Sequence, residues 1–189
     1  MSGREISIVG LGESKILFRG LHLHDDVRPR LTPDAVFSAL LSTEEMAVKW
    51  REGLFFTESF DDAKKFSNHS PKFVLTAKIT CNLTLLDITP SSMDLLIEKI
   101  RNQVDFSADD ERSIAALSFL QHQLSSNKTP TKEQEQVLAK SLKHFYPSVN
   151  GFQRRSFFST GGEEKSEYCL WSNGTLSNFS QWIEILYTA

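Results

Sequence analysis

Cysteine is scarce, with two in 189 residues. That is too few for a disulfide framework and short of the four ligands of a structural zinc site. Both, Cys81 and Cys169, stand in apolar, strand-like surroundings, which reads as packing and not as nucleophile chemistry. Long apolar runs are missing too: none approaches the roughly 20 residues that span a bilayer. Met1-Ser2-Gly3-Arg4-Glu5 lead into no apolar core of a Sec-type signal peptide. Neither charge is in large excess, since 21 Lys and Arg face 24 Asp and Glu for a formal charge of −3. The basic surplus of a nucleic-acid binder is therefore lacking, and neither nucleic acid nor a membrane is an expected partner. P-loop, Gly-x-Gly-x-x-Gly, His-Glu-x-x-His and Gly-x-Ser-x-Gly motifs are absent. The expectation is a soluble protein of a reducing compartment.

What is present suits a folded domain. Hydrophobic residues make up 40% and charged ones 24%, enough to bury a core in a chain of this length. Three blocks follow one another. In the first, Lys15 to Gly20 reads as a strand ended by glycine, and Thr32-Pro33 starts a helix with the stripe Ala35, Val36, Ala39, Leu40. Gly53 to Thr57 is a strand, and Ser59 to Phe66 a short helix with Ser59 and Asp62 as a capping-box-like pair. Lys72 to Ile79 and Leu83 to Ile88 are further strands, the latter closed by Thr89-Pro90. The second block, Ser91 to Tyr146, is helical. Its three stripes are Leu95, Leu96, Ile97, Ile100; Ile114, Leu117, Phe119, Leu120, Leu124; and Val137, Leu138, Leu142, Phe145. In the third block Asn150-Gly151 marks a turn. Arg154 to Phe158, Glu167 to Trp171 and Trp182 to Tyr187 read as strands. The pattern predicts one α+β domain over residues 1–189 with a helical insert at about 91–146.

His22 and His24 alternate on one side of an extended segment beside Asp25 and Asp26. They would make half of a metal site, but no third and fourth ligand stands at a recognisable spacing, and a solvated loop is the simpler reading. No metal is expected.

The pattern that carries chemistry is a series of three elements. The first is Leu17-Phe18-Arg19-Gly20. The second is Gly53-Leu54-Phe55-Phe56-Thr57-Glu58-Ser59, followed by a helix with Ala63 and Phe66. The third is the acidic loop Gly161-Gly162-Glu163-Glu164 leading into Glu167-Tyr168-Cys169-Leu170-Trp171. In their order and in their places at strand ends they resemble the mono-ADP-ribosyltransferase superfamily, above all its compact bacterial and phage members, the anti-CRISPR type included. The resemblance covers about two thirds of the chain and none of the helices between Ser91 and Tyr146. Thr57-Glu58-Ser59 departs from the family's Ser-Thr-Ser, and Glu163-Glu164-Lys165-Ser166-Glu167 offers several registers for its Glu-x-Glu.

The resemblance implies a core of two facing small sheets with an NAD cleft. The implied activity is transfer of ADP-ribose from NAD, as substrate, to an acceptor protein, by an effector, virulence toxin or phage inhibitor acting in the cytoplasm or inside a host cell. Arg19-Gly20 would hold NAD, since a guanidinium offers a planar fork to a diphosphate or ribose. Phe55 or Phe56 would stack on nicotinamide, although strand alternation sends one of them into the core. Thr57 or Ser59 would bond the carboxylate or the ribose, unless Ser59 is only a helix cap. Breaking the nicotinamide–ribose bond builds positive charge on the sugar, which a fixed carboxylate stabilises. Glu163 or Glu164 would supply it, with Glu167 as a further candidate. A NAD glycohydrolase of the same fold and a non-catalytic protein binding a partner through its helices are the competing expectations.

Overall fold

The structure is a computed structural model that describes residues 5–21, 53–66, 73–156, 165–171 and 182–188. Thr32-Pro33 with its stripe, the His22–Asp26 cluster and Glu163 and Glu164 lie outside these residues. Eight strands and four helices occur among the described residues. In chain order they are β1 (Ile8–Leu11), β2 (Ile16–Leu21), β3 (Leu54–Thr57), helix α1 (Phe60–Phe66), β4 (Phe73–Ile79) and β5 (Leu83–Ile88). Then come α2 (Pro90–Arg101), α3 (Ala108–Ser125), α4 (Lys132–Phe145), β6 (Gly151–Arg155), β7 (Ser166–Leu170) and β8 (Ile183–Thr188). The class is α+β, and the helices of the middle block fall where the sequence puts them.

The strands form one sheet in the order β1-β5-β6-β7-β3-β2-β4-β8. Two facing small sheets are expected and one continuous sheet is found, and the chain connections set its shape. β1 and β2 stand five places apart in that order, about 24 Å in a flat sheet. Only residues 12–15 join them, and these reach at most about 18 Å when fully extended. They are not extended: Lys15 N–H donates to Gly12 O (3.3 Å). β4 and β5, also five places apart, are joined by residues 80–82 alone. A flat sheet is impossible with such links, so it folds back on itself. Leu11 and Leu85 from one wing then share a core with Leu17, Leu75, Ile79 and Ile183 from the other.

The second face of the sheet is covered by the helical block. Leu86, Ile88, Phe152, Cys169 and Trp171 pack there against Met93, Leu96, Leu117, Leu138 and Leu142. The block also solves a topological problem. β5 and β6 are parallel, and parallel neighbours need a crossover connection. Each of its helices starts on a cap legible in sequence. Pro90 opens α2 after Thr89. Ser107 and Asp110 exchange bonds before α3 (3.3 and 2.8 Å), and Thr131 and Gln134 do so before α4 (3.3 and 2.7 Å). Phe119 departs from the expected stripe of α3 and is 67% exposed. None of the helices among the described residues is long and apolar enough to cross a membrane.

Two strand expectations shift. β1 was not anticipated, and β6 begins at Gly151 instead of Arg154. Asn150 O accepts from Trp171 N–H (2.9 Å), drawing the start of β6 tightly onto β7. A Cβ on Gly151 would collide with the Cys169 carbonyl oxygen, so glycine is required by close approach and not by the turn that Asn150-Gly151 suggests.

Candidate functional site

The sheet has one weak seam. β2 and β3 meet through a single register pair, Phe18 with Thr57, whereas β2 and β4 share six, from Ile16–Lys78 to Leu21–Phe73. Arg19 spans the seam. Its Nη1 donates to the Phe55 carbonyl oxygen (2.7 Å), a backbone acceptor on β3 that β2 does not reach with a ladder bond. The side chain is buried, and burial pulls the guanidinium down to about 10, which leaves it charged at neutral pH.

Register then sets the other residues beside it. Phe18 pairs with Thr57, Thr57 with Glu167 and Glu167 with Arg154. One row across β2, β3, β7 and β6 therefore brings together positions nearly a whole chain apart. Thr57 is buried, and its Oγ1 accepts from Ser59 N–H (3.2 Å). Ser59 Oγ accepts from Asp62 N–H (3.2 Å) and its carbonyl from Ala63 N–H (3.0 Å), so Ser59 does cap α1. Of the two phenylalanines, Phe56 points into the folded-over core and is 4% exposed. Phe55 faces the helical side and is half-buried, edge-on to Phe152 with ring centroids 6.0 Å apart. Gly20 sits in β2 opposite Val74.

Glu167 is 4% exposed, and both its oxygens are engaged. Oε2 accepts from Arg154 Nε (3.2 Å) and Nη2 (3.0 Å), and Oε1 from Ser156 Oγ (3.0 Å). Arg154 Nη2 also reaches Glu135 Oε1 on α4 at 2.6 Å. Burial works against charge on Arg154, but Glu135 and then Glu167 outweigh it and hold the guanidinium above its ordinary value. Its planar head lies 5.6 Å from the Phe55 ring centroid and 5.8 Å from that of Phe152.

On the other side of the seam Glu58 is a second junction. It pairs with Lys15 just before β2 (2.6 Å) and accepts from Tyr168 Oη on β7 (2.6 Å) and from Ser166 N–H (3.4 Å). Burial opposes its ionisation, yet the bonds from Lys15 and Tyr168 outweigh that and keep its carboxyl below the ordinary value. Burial and then Glu58 push the Tyr168 phenol up. Glu58 thus ties the start of β2 to β3 and β7 through side chains.

Sequence reasoning missed Arg154, Glu135 and the Lys15–Glu58–Tyr168 junction. A signal existed for the first: alternation from Phe152 puts Arg154 on the buried face, and a buried charge demands a partner. Cys169 is fully buried as expected, and burial drives its thiol up and out of nucleophile range. Cys81, expected in a strand, lies half-buried in the turn between β4 and β5. Among the described residues no group of three or more His, Cys, Asp and Glu is arranged to hold a metal ion. Glu163 and Glu164 lie outside the described residues; the described residues on either side, Ser156 and Lys165, are joined by Ser156 N–H to Lys165 O (2.7 Å). That junction is two residues from the row containing Thr57 and Glu167. Comparison with protein-family models, curated proteins and solved structures finds no match for the chain.

Proposed function

We propose that the protein is a NAD-dependent mono-ADP-ribosyltransferase acting on a protein acceptor, built on an ADP-ribosyltransferase-like core. The observation that carries the reading is the seam. A buried arginine spans the one-pair join of β2 and β3, and Ser156 and Lys165, which flank the acidic stretch in sequence, are bonded at the β6–β7 side of the row that contains Thr57 and Glu167. In this reading NAD enters at the seam. Arg19 holds its diphosphate or adenosine ribose with donors of a fork that also fixes Phe55. Phe55, the half-buried one of the pair, walls the nicotinamide, while Phe56 is core. Thr57 and Ser59 shape the turn below. The acid that stabilises positive charge on the ribose is Glu163, with Glu164 as its substitute. Glu167 is the weakest of the three candidates, because its carboxylate is already neutralised by Arg154 and bonded by Ser156.

The test is incubation of the purified chain with labelled NAD and lysate. Label on a discrete protein band supports transfer. Nicotinamide release without labelled protein means that water is the acceptor and the chain is a NAD glycohydrolase. Neither product, together with no NAD-induced rise in melting temperature at millimolar ligand, refutes the reading. The rival, an interaction protein binding through its helical block, draws on Val104, Phe106 and Phe119, which are 98%, 43% and 67% exposed there.

A further inference from the structure

The helical block stands outside the resemblance, yet one of its side chains reaches the proposed site. Glu135 of α4 meets Arg154 Nη2 at 2.6 Å, and Arg154 in turn lies against the Phe55 ring from within the buried layer. The side chains of Glu135, Arg154 and Glu167 are 15%, 4% and 5% exposed, so the guanidinium is clamped from two directions in a low-dielectric setting. With its Nε and Nη2 on Glu167 and the same Nη2 on Glu135, the plane has little freedom to rotate. A planar cation fixed in this way fixes what stacks on it. Phe152, itself fully buried, meets the same guanidinium and the Phe55 edge, which closes the packing around that ring. The Phe55 backbone is held independently from the other side of the seam by Arg19.

We propose that Arg154, clamped between Glu135 of the helical block and Glu167 of β7, is a positioning residue that sets the Phe55 ring as the wall of the nicotinamide pocket. The inference rests on the transferase reading and adds a role for the helical block: α4 braces the pocket wall through one ion pair. Arg154 touches no substrate in this scheme and acts only through Phe55.

The experiment measures inhibition of NAD cleavage by free nicotinamide, with kcat and KM for NAD, in the full chain and in Arg154→Lys, Phe55→Leu and the double variant. Lysine keeps the charge and loses the planar fork. Arg154→Lys is expected to weaken nicotinamide inhibition about fivefold, because lysine keeps the charge near Phe55 but not the fixed plane, so only part of the cation–π contact is lost. Phe55→Leu is expected to weaken it at least as much, and the double variant no further than Phe55→Leu alone. A merely structural role for Arg154 would lower the melting temperature and leave the nicotinamide constant of the folded enzyme unmoved. Unchanged inhibition in Arg154→Lys, or effects that multiply in the double variant, overturns the proposal while the transferase reading stands. If Arg154→Lys does not fold, Glu135→Gln, which loosens the clamp from the helix side only, must shift the constant in the same direction, and no shift there overturns it equally. A parent chain that neither cleaves NAD nor binds nicotinamide overturns the transferase reading, and the positioning role falls with it.

Discussion

Replacing Arg154 by methionine tests whether the buried charge network is held together by its completeness. The guanidinium makes two bonds to Glu167 and an ion pair to Glu135, all in a layer where the three side chains are at most 15% exposed. Arg154→Met strands two carboxylates against Phe55, Phe152 and Cys169. Breaking one partner out of a buried network costs about 3–5 kcal/mol, because the charges left behind have no water to return to. At about 2–4 °C per kcal/mol for a chain of this size, the melting temperature should fall by about 6–20 °C. The triple variant Arg154→Met, Glu135→Leu, Glu167→Met removes every charge at similar volume and should recover most of the loss. It should remain about 1 kcal/mol short, since Ser156 Oγ loses its acceptor on Glu167. Urea unfolding at pH 7, followed by far-ultraviolet circular dichroism, reads all three chains. A single variant within about 1 kcal/mol of the parent, or a triple variant as unstable as the single, would refute the reasoning.

Gly151→Ala should cost at least about 2 kcal/mol in the same urea assay, because the new Cβ runs into the Cys169 carbonyl and backbone cannot step aside cheaply. Glu58→Gln should destabilise the chain at neutral pH and cease to matter in acid. The folded carboxyl sits below its ordinary 4.5, so its contribution is present above that value and disappears as pH falls through the lower one. Thermal melts of parent and variant from pH 7 to pH 3 should therefore converge, and a gap that widens in acid contradicts the Lys15–Glu58–Tyr168 junction. Glu163→Gln should lose NAD turnover by about 100-fold or more with an unchanged melt. Normal turnover in that variant hands the role to Glu164 or Glu167, which the corresponding glutamine variants then separate.

Local chemistry made the helices readable. The apolar stripes Leu95–Ile100, Ile114–Leu124 and Val137–Phe145 announce α2, α3 and α4, and the caps Thr89, Ser107 with Asp110 and Thr131 with Gln134, although written in neighbouring residues, went unread. Strands β2 to β5 were readable for a related reason: each carries an apolar run bounded by turn residues. β1 was not, since Ile8–Leu11 is short, holds Gly10 and owes its existence to Leu83–Leu86 more than seventy positions away. Gly151 looked like a turn because the reason for a glycine there is the distant carbonyl of Cys169. Phe119 misled the stripe of α3 in the same way: its helix buries only Leu117 and Leu120 among its hydrophobic residues, and no spacing rule says which face the sheet will claim.

The site divides along the same line, and the division shows where the proposed chemistry stands. Arg19, Phe55 and Thr57 were visible as strand-end residues, but their meeting depends on a strand order that only the folded chain displays. Once that order is known, the rest follows from lengths. Residues 12–15 and 80–82 are too short to bridge five strand places, so the sheet must bend. A bend strong enough to bring β1 toward β2 is one that a full ladder between every neighbouring pair resists. The single Phe18–Thr57 pair is where the ladder yields, and the side chains of Arg19, Lys15 and Glu58 replace the backbone bonds that are missing there. The chain's short connections and the strand order thus place the least-laddered join among the described strands beside Arg19, Phe55 and Thr57, which the sequence pattern singles out.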